Sequence, residues 1–348
     1  MARRSLAIWF RLAVTVAFCA PLSCSSSSST TPTGPSGAQP PALTTAVLLE
    51  DLSGGQLFPG DNWWNQDVSR APVDHNSPAF IDFISGRSPG NTTSTRTLHP
   101  DFGPPPYGIP YVTVGANQSR VVIASFLYAG ESDLGAPGEA PGYPIPDEAK
   151  TLPNYIEGGV PGGGGSGDRH LLIFDRDRGF LFETWATTWN ATLNHWEAGS
   201  GAVFNLSSNA RRPEGWTSAD AAGLAILPGL VRFDEVYGST DIRHAFRFTC
   251  RATNGYVWPA SHSAGGTGGA PPLGARLRLK ASVNLSGFSP AIQRIFAAMK
   301  TYGLLLADNG SDLYISGTMD GRWNNDELNP AFRQLRGDDF EVIQLGWR

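Results

Sequence analysis

Short apolar runs, each interrupted within a few residues by glycine, proline or asparagine, constrain the fold of this chain more than any other sequence feature. The 348 residues include 41 glycines and 27 prolines, together with 18 phenylalanines and 10 tryptophans. Glycine and proline form turns, whereas aromatic residues favour strands and fill a core. This combination excludes a coiled coil and a disordered chain. It predicts a β-rich fold with many loops.

Nine segments have the composition of strands and follow one another closely. Because no amphipathic helices separate them, we expect antiparallel pairing and not a Rossmann or TIM-barrel architecture. The prediction is an all-β dominated fold, a large antiparallel β-sandwich or jelly roll with one or two short helices. The predicted strands span residues 111–114, 120–127, 170–175, 180–185, 201–206, 230–237, 242–250, 275–285 and 312–316.

Two segments have helix signals. Ser289 is a good N-cap, Pro290 follows it at the first helical position, and Gly303 is a good terminator. Thr217 and Asp220 have the spacing of a capping box, which predicts a second, short helix starting there. In that interpretation Asp220 is a capping residue, although it is kept as a candidate catalytic acid.

The N-terminus has the features of an export signal. Arg3 and Arg4 precede an apolar run over residues 12–20, which is too short to span a membrane as a helix, and Cys24 follows. We therefore predict a signal peptide at 1–24, a Ser/Thr/Pro-rich tether at 25–44 and a single β-rich domain at 45–348.

A small residue, a cysteine and then a polar tether resemble a bacterial lipoprotein signal. In such a signal the cysteine, here Cys24, is acylated and becomes the mature N-terminus. Pro21 stands where that signal usually has leucine, and an ordinary signal peptide is the alternative. The resemblance implies an exported protein, either extracellular or held in the cell envelope by a lipid on Cys24.

Cysteine count and charge exclude two further classes. Cys19 and Cys24 fall in the predicted signal, so Cys250 is the lone thiol of the folded part and has no partner for an internal disulfide. The formal net charge of -5 provides no basic field for nucleic acid. The expected contact with a membrane is through the N-terminal anchor alone.

A predicted hairpin supplies the first candidate catalytic pair. If residues 230–237 and 240–248 pair across Gly238 and Ser239, side-chain alternation puts Glu235 and His244 on one apolar face. A buried carboxylate among aromatic residues favours its acid form, which a general acid requires. The alternative is a hydrogen-bonded pair with a purely structural role.

A second predicted hairpin supplies another such pair. With residues 176–179 as the turn, Leu172 lies opposite Glu183, and His170 becomes its diagonal neighbour on the same face. If the two hairpins line one concave surface, their carboxylates and imidazoles suffice for general acid/base chemistry. A metal held by His170, Glu235 and His244 is a further alternative.

Tryptophans and arginines are the candidate substrate-binding residues. Trp216 and Trp258 lie in loops, where an indole face can stack on a sugar ring or simply seal the end of a sandwich. Arg243 lies in the first predicted hairpin. Arg278 belongs to the polar face of strand 275–285, which is either solvated or lines a groove for an anionic glycan.

No cofactor is predicted, and no catalytic metal. The glycine run at 158–167 lacks the lysine of a phosphate-binding loop and is interpreted as a surface loop. A structural calcium is one interpretation of an acidic turn region, ordinary turns being the other. The side chains concerned are Asp308, Asn309, Asp312, Asp320, Asn324 and Asp326.

The stretches at 167–170, 215–223 and 227–232 resemble those of large secreted proteins from soil bacteria, a likeness that implies no particular activity. Together these features favour an enzyme that degrades an extracellular polysaccharide, a glycoside hydrolase being preferred over a polysaccharide lyase. A non-catalytic surface glycan-binding protein is the second hypothesis. A metal-dependent β-sandwich enzyme is the third.

Overall fold

The computed structural model describes Leu43, residues 45–87 and residues 96–348, which belong to one compact unit. The predicted signal peptide and, apart from Leu43, the predicted tether lie outside the described residues, as does Cys24. Within the described part of the chain, no helix is long and apolar enough to cross a membrane.

Strands make up 25% and helices 17% of the structure, which confirms a mostly β domain. In chain order the strands are β1 (Val47–Leu48), β2 (His99–Gly103), β3 (Tyr111–Val114), β4 (Ile123–Phe126), β5 (Leu171–Asp175), β6 (Phe180–Trp185), β7 (Thr188–Asn190), β8 (His195–Ala198), β9 (Ser200–Asn205), β10 (Phe246–Cys250), β11 (Arg276–Leu279), β12 (Leu304–Asn309), β13 (Tyr314–Met319) and β14 (Phe340–Val342). The α-helices are α1 (Ser77–Ile84), α2 (Phe233–Val236), α3 (Pro290–Thr301) and α4 (Asn325–Phe332), and 3-10 turns lie at Trp63–Asn65, Ala129–Glu131, Asp147–Lys150, Pro161–Gly163, Leu227–Gly229 and Gly337–Asp339.

The strands form three mixed sheets. Their spatial orders are β1-β3-β5-β6-β9, β14-β11-β12-β10-β13-β2 and β4-β8-β7. The prediction of purely antiparallel sheets is wrong, because β3 pairs parallel to β5, β10 to β12, β13 to β2 and β4 to β8. Close spacing of strands along the chain did not reveal this, since parallel neighbours here come from distant segments.

Two hydrophobic clusters use opposite faces of the five-stranded sheet. Leu172 and Leu181 belong to a cluster that also contains Phe246 of the six-stranded sheet. Phe182, which faces the other way, belongs to a cluster that contains Trp196 of the three-stranded sheet. Side-chain alternation along β6 thus buries both faces of that sheet.

Helix α3 confirms the stronger of the two helix predictions. The Ser289 hydroxyl accepts a hydrogen bond from the Ile292 backbone N–H, Pro290 begins the helix, and Gly303 follows its end with a φ of 73°. A left-handed residue of this kind satisfies the last helical carbonyls, and glycine adopts that conformation without steric cost.

Three other local predictions are wrong. Residues 230–237 are not a strand, because the Glu235 carboxylate accepts a hydrogen bond from the Arg232 N–H and caps the short helix α2. Residues 217–220 form a turn instead of a helix, since the Ser218 hydroxyl accepts a hydrogen bond from the Asp220 N–H and donates to the Leu224 carbonyl. The long alternating segment 275–285 is a strand only over β11.

Candidate acidic active site

One face of the six-stranded sheet carries the polar side chains of the candidate site. Ser316 of β13 pairs with Asp101 of the parallel strand β2. On the other side of β13, Arg247 of β10 reaches the Ser316 hydroxyl, with Nη1 donating to Oγ at 2.7 Å. Paired residues share a face of a sheet, so Asp101, Ser316 and Arg247 form a row across three strands.

A bulge adds Asp308 to this face. Arg247 pairs with Leu305 of the parallel strand β12, but two residues further along β10 Thr249 pairs with Asp308 instead of Ala307, because the register shifts by one residue. Without the shift, Asp308 would point to the opposite face. With it, Arg247 Nη2 donates to Asp308 Oδ2 at 3.1 Å.

Asp220 completes a buried ionic cluster around Arg247. Its carboxylate is fully buried and accepts two hydrogen bonds, from Nε to Oδ2 at 3.1 Å and from Nη2 to Oδ1 at 2.9 Å. Asp220 reaches this position from the turn at 217–220, where the Ser218 hydroxyl accepts a bond from the Asp220 N–H. Arg247 therefore bridges two carboxylates, those of Asp220 and Asp308.

The five-stranded sheet supplies the opposite wall. The predicted β5–β6 hairpin is confirmed, with Leu172 opposite Glu183. His170, just before β5, does not pair with Glu183. Its Nδ1 lies 2.7 Å from Glu157 Oε2, and its Nε2 lies 3.0 Å from the Ala219 carbonyl oxygen. Both partners are acceptors, so His170 donates from both ring nitrogens and holds the turn next to Asp220.

Glu183 is fully buried behind this wall. Its carboxylate accepts hydrogen bonds from the backbone N–H groups of Ile226 and Leu227 at 2.8 to 2.9 Å. Burial, together with the charge of Asp220, raises the pKa of Glu183 to about 7 in spite of these donors.

Burial is the main cause of the raised pKa values of the carboxyl groups in this cluster, and neighbouring carboxylates add to it. Burial, reinforced by the negative charge of Asp220, raises the pKa of Asp308 to about 7 although Arg247 opposes it. Burial also raises the pKa of Asp101. Burial alone would lower the pKa of His170, but the adjacent Glu157 carboxylate outweighs it and raises that pKa to about 9.

Two neighbouring cavities, which share three lining residues, lie beside the cluster around Arg247. Their volumes are about 470 Å³ and about 300 Å³, and both are lined by Asp168, Asp308 and Asn309. The larger has an aromatic wall in which the Trp185 and Tyr128 ring centroids lie 6.2 Å apart. The Trp185 indole Nε1 donates to Asp168 Oδ1 at 3.1 Å, so the wall and the carboxylate are linked.

Of the predicted catalytic residues, the structure brings together His170, Glu183 and Asp220 but not Glu235 and His244. His244 Nε2 lies 2.9 Å from Glu235 Oε2, so this pair does form. It forms between a short helix and a loop, not within the predicted hairpin. Both side chains are buried beside Arg232, and neither lines the two cavities.

The predicted substrate-binding residues lie elsewhere. Trp216 packs on Arg212, and Trp258 packs edge-on against Trp63. Arg243 is exposed, and its carbonyl oxygen accepts a bond from Gln56. None of Trp216, Trp258, Arg243 and Arg278 lines the two cavities.

The two arginines on the predicted polar face of 275–285 are neither solvated nor part of the cleft, whereas Ser282 and Asn284 of that face are exposed. Arg278 is 9% exposed and donates to the carbonyls of Val68 and Ala71 and to Glu341. Arg276 is also buried, and its guanidinium donates to the Trp63 carbonyl. These arginines satisfy the backbone of the 63–71 segment, a role that alternation alone does not reveal.

Metal ligands are not grouped in the part of the chain that the structure describes. There, no three His, Cys, Asp or Glu side chains are placed to hold a metal ion, so His170, Glu235 and His244 do not form a site. Among the acidic residues of the calcium hypothesis, Asp312 pairs with Arg251 and Asp320 with Arg322. A structural calcium remains a prediction.

Sequence reasoning missed four residues that define the cleft. Arg247 lies in a predicted strand but has no predicted role, Asp308 belongs to the acidic turn region with its two interpretations, and Asp168 and Trp185 are not among the predicted site residues. One signal was available: Asp168 directly follows the glycine run, whose last residues bring it to the mouth of both cavities. The register shift that turns Asp308 toward Arg247 has no signature in the sequence.

Comparison of this chain with protein-family models, with curated proteins and with solved structures found no match.

Proposed function

We propose that this protein is an exported polysaccharide-degrading enzyme that hydrolyses glycosidic bonds in the acidic cleft. The observation that carries the proposal is Asp308, which lines both cavities, is 25% exposed and has a pKa of about 7. Glycoside hydrolysis needs one carboxyl group that is protonated near neutral pH and a second that is not. Asp308 is the general acid, and Asp168, on the same two cavities, is the second carboxylate.

The aromatic wall supports a sugar substrate. Trp185 is partly exposed and Tyr128 is 47% exposed at the larger cavity. Aromatic faces bind the C–H faces of sugar rings while hydroxyl groups find polar partners nearby. Asp168, hydrogen-bonded to Trp185, supplies such a partner at the edge of the wall.

Hydrolysis accounts for the site better than β-elimination does. Elimination on a uronate needs a base, and His170 is the imidazole that lines the second cavity. With a pKa of about 9, His170 is already protonated near neutral pH, and both of its nitrogens donate to acceptors. Arg278, expected to neutralise the uronate, lies outside the cleft.

The test is a panel of polysaccharides incubated with the wild-type protein and with Asp308→Asn. New reducing ends without unsaturated products support hydrolysis. Asparagine keeps the acceptor for Arg247 but has no proton to give, so we expect kcat to fall by about 100- to 10,000-fold. Asp241→Asn, at an exposed aspartate, is the matched control. Cleavage by Asp308→Asn at the wild-type rate contradicts the assignment.

A non-catalytic glycan-binding protein is the second candidate, because the buried carboxylates of Glu183 and Asp220 already have their hydrogen bonds satisfied within the protein. Binding would then use the aromatic wall alone. Retention of a glycan by the wild type, lost in Trp185→Ala and accompanied by no cleavage of any polymer, favours this candidate.

Two further expectations, a sandwich architecture and export, belong to the same proposal. A sandwich or jelly roll would have the five- and six-stranded sheets packed face to face, as their shared hydrophobic cluster suggests. Export, with anchoring through a lipid on Cys24, would bring the enzyme to an extracellular polymer. Mass spectrometry of the protein extracted from cell envelopes tests the anchor.

A further inference from the structure

The acidic cleft continues past the two cavities described above. A third cavity of about 450 Å³ shares Gly310, Ser311 and Tyr314 with the second one. The segment 308–314 therefore lines all three cavities, beginning with Asp308 in the acidic centre, which consists of the carboxylates of Asp101, Asp220 and Asp308 around Arg247. A polymer lying on this segment would pass from the aromatic wall, over the acidic centre, into the third cavity.

The third cavity has the opposite charge to the acidic centre. Arg96 and Arg251 both form ion pairs with Asp312, whose side chain is only 1% exposed. Each guanidinium side chain is 36% exposed. Two guanidinium groups thus share one buried carboxylate, and Arg251 Nη1 also donates to the Phe83 carbonyl oxygen at 2.7 Å.

The aromatic groups that line this cavity, His99 and Tyr314, add no negative charge to it. His99 stacks on Tyr314 with ring centroids 4.2 Å apart and an angle of 11° between the planes. Burial lowers the pKa of His99, and the charge of Arg333 lowers it further against Asp101, so the ring is neutral near pH 7. The cavity thus combines the stacked rings of His99 and Tyr314 with the cations Arg96 and Arg251 and the buried carboxylate of Asp312.

We propose that the third cavity is a subsite for the negatively charged group, a carboxylate or a sulfate, of an acidic polysaccharide. The planar guanidinium of arginine matches both groups with paired hydrogen bonds. Because the neighbouring acidic centre repels anions, the sugar bound there must be neutral, so the charges fall on alternate sugars. The inference rests on the proposed function, since it names the substrate class of the same cleft.

Calorimetric titration of the full chain with three hexasaccharides tests the subsite. The probes are hyaluronan, which carries a carboxylate on alternate sugars, its carboxyl-reduced neutral form, and carboxyl-reduced chondroitin 4-sulfate, which carries only a sulfate on alternate sugars. We expect tighter binding of an anionic probe than of the neutral one, and a loss of that preference at high salt. A preference for hyaluronan identifies the carboxylate, and a preference for carboxyl-reduced chondroitin 4-sulfate identifies the sulfate.

Two substitutions test whether the arginines of the third cavity cause the preference for an anionic probe. Arg251→Gln should weaken binding of the preferred anionic probe by about tenfold, the effect of one lost charge-assisted contact, and leave the neutral probe unchanged. Arg96→Gln, which leaves the Arg251–Asp312 pair in place, should act in the same direction and is used if Arg251→Gln does not fold. Arg70→Gln, at an exposed arginine outside the cavity, is the control.

Equal affinity for charged and neutral probes, no saturable binding of either anionic probe, or equal effects of Arg96→Gln and Arg70→Gln would overturn the subsite. Failure of the proposed function looks different. In that case Asp308→Asn and the wild type give the same product yield, or neither cleaves any polymer, while the arginine variants still lose the anionic probe.

Discussion

A single guanidinium organises the chemistry of the cleft. Arg247 contacts Asp220, Asp308 and Ser316 at once, and burial of the two carboxylates is tolerated because this cation lies between them. Burial, together with the negative charge of Asp220 on the same cation, leaves the more exposed carboxylate, Asp308, with a raised pKa. The same arrangement that stabilises the ionic cluster therefore supplies an acid near neutral pH.

The pKa of Asp308 predicts how stability depends on pH. In the unfolded chain this carboxyl ionises near its ordinary value of 3.8, whereas in the folded protein it stays protonated up to about 7. Between these values the folded state binds the extra proton, so the contribution of Asp308 to the free energy of unfolding falls as pH rises.

Asp308→Asn removes this contribution. We expect the free energy of unfolding of the variant to fall less than that of the wild type between about pH 5 and pH 8. Glu183, whose pKa is also about 7, leaves a residual slope. Urea unfolding at a series of pH values measures both slopes, and Asp241→Asn should retain the wild-type slope. Parallel slopes for Asp308→Asn and the wild type would refute the raised pKa.

Glu235 and His244 are expected to act on stability and not on turnover. Burial opposes the charge of Glu235, but Arg232 and His244 outweigh it and lower the pKa of that carboxyl. Glu235→Gln leaves Arg232 buried with a weakened partner, which costs about 3 to 5 kcal/mol. Urea unfolding should detect this loss while kcat per folded molecule is unchanged. A large loss of kcat in fully folded protein would return the pair to the catalytic site.

At the level of elements, the irregular features of the strands position the key side chains more than their regular parts do. The register shift in β12 turns Asp308 toward Arg247. The two buried arginines of β11 hold the 63–71 segment through its carbonyl oxygens. Both features depend on which strand lies next to β12 or β11. For this reason, periodicity within one segment predicted β3 and β6 with the observed bounds but misassigned the polar face of β11.

A substitution at the end of helix α3 tests the packing between this helix and β11. Gly303 has a φ of 73°, and a Cβ added there would lie 2.3 Å from the Leu277 carbonyl oxygen in β11. We expect Gly303→Ala to lower the free energy of unfolding by about 1 to 3 kcal/mol, because it strains the backbone and displaces β11. Urea unfolding measures the change. Gly60→Ala, where an added Cβ meets nothing within 4 Å, should stay within about 0.5 kcal/mol of the wild type.

Across the whole molecule, the described residues belong to one compact unit in which a large hydrophobic cluster joins two sheets. The free thiol Cys250 is buried and donates to Asp312, so the unit is stabilised by packing and polar contacts, with no disulfide among the described residues. Polysaccharide binding along the cleft would contact both sheets, and the acidic centre is rigid only if they remain together.

Shared packing predicts cooperative unfolding. We expect tryptophan fluorescence and far-UV circular dichroism to report one urea transition with the same midpoint, because Phe246 and Leu172 of different sheets lie in one cluster. A reducing agent should leave that midpoint unchanged. Two separated transitions would mean that the sheets unfold independently, and the cleft between them could then open in the native state.

Local sequence is enough to predict the β-rich composition, helix α3 with its caps, the β5–β6 hairpin and Cys250 as the lone thiol among the described residues. These depend on contacts between residues that are close along the chain. Tertiary structure alone decided the parallel pairings, the register shift at Asp308 and the meeting of Asp101, Asp220, Arg247 and Asp308 in one cleft. Such residues come together only when distant strands pair, and the burial that raises the pKa of Asp308 exists only after they have done so.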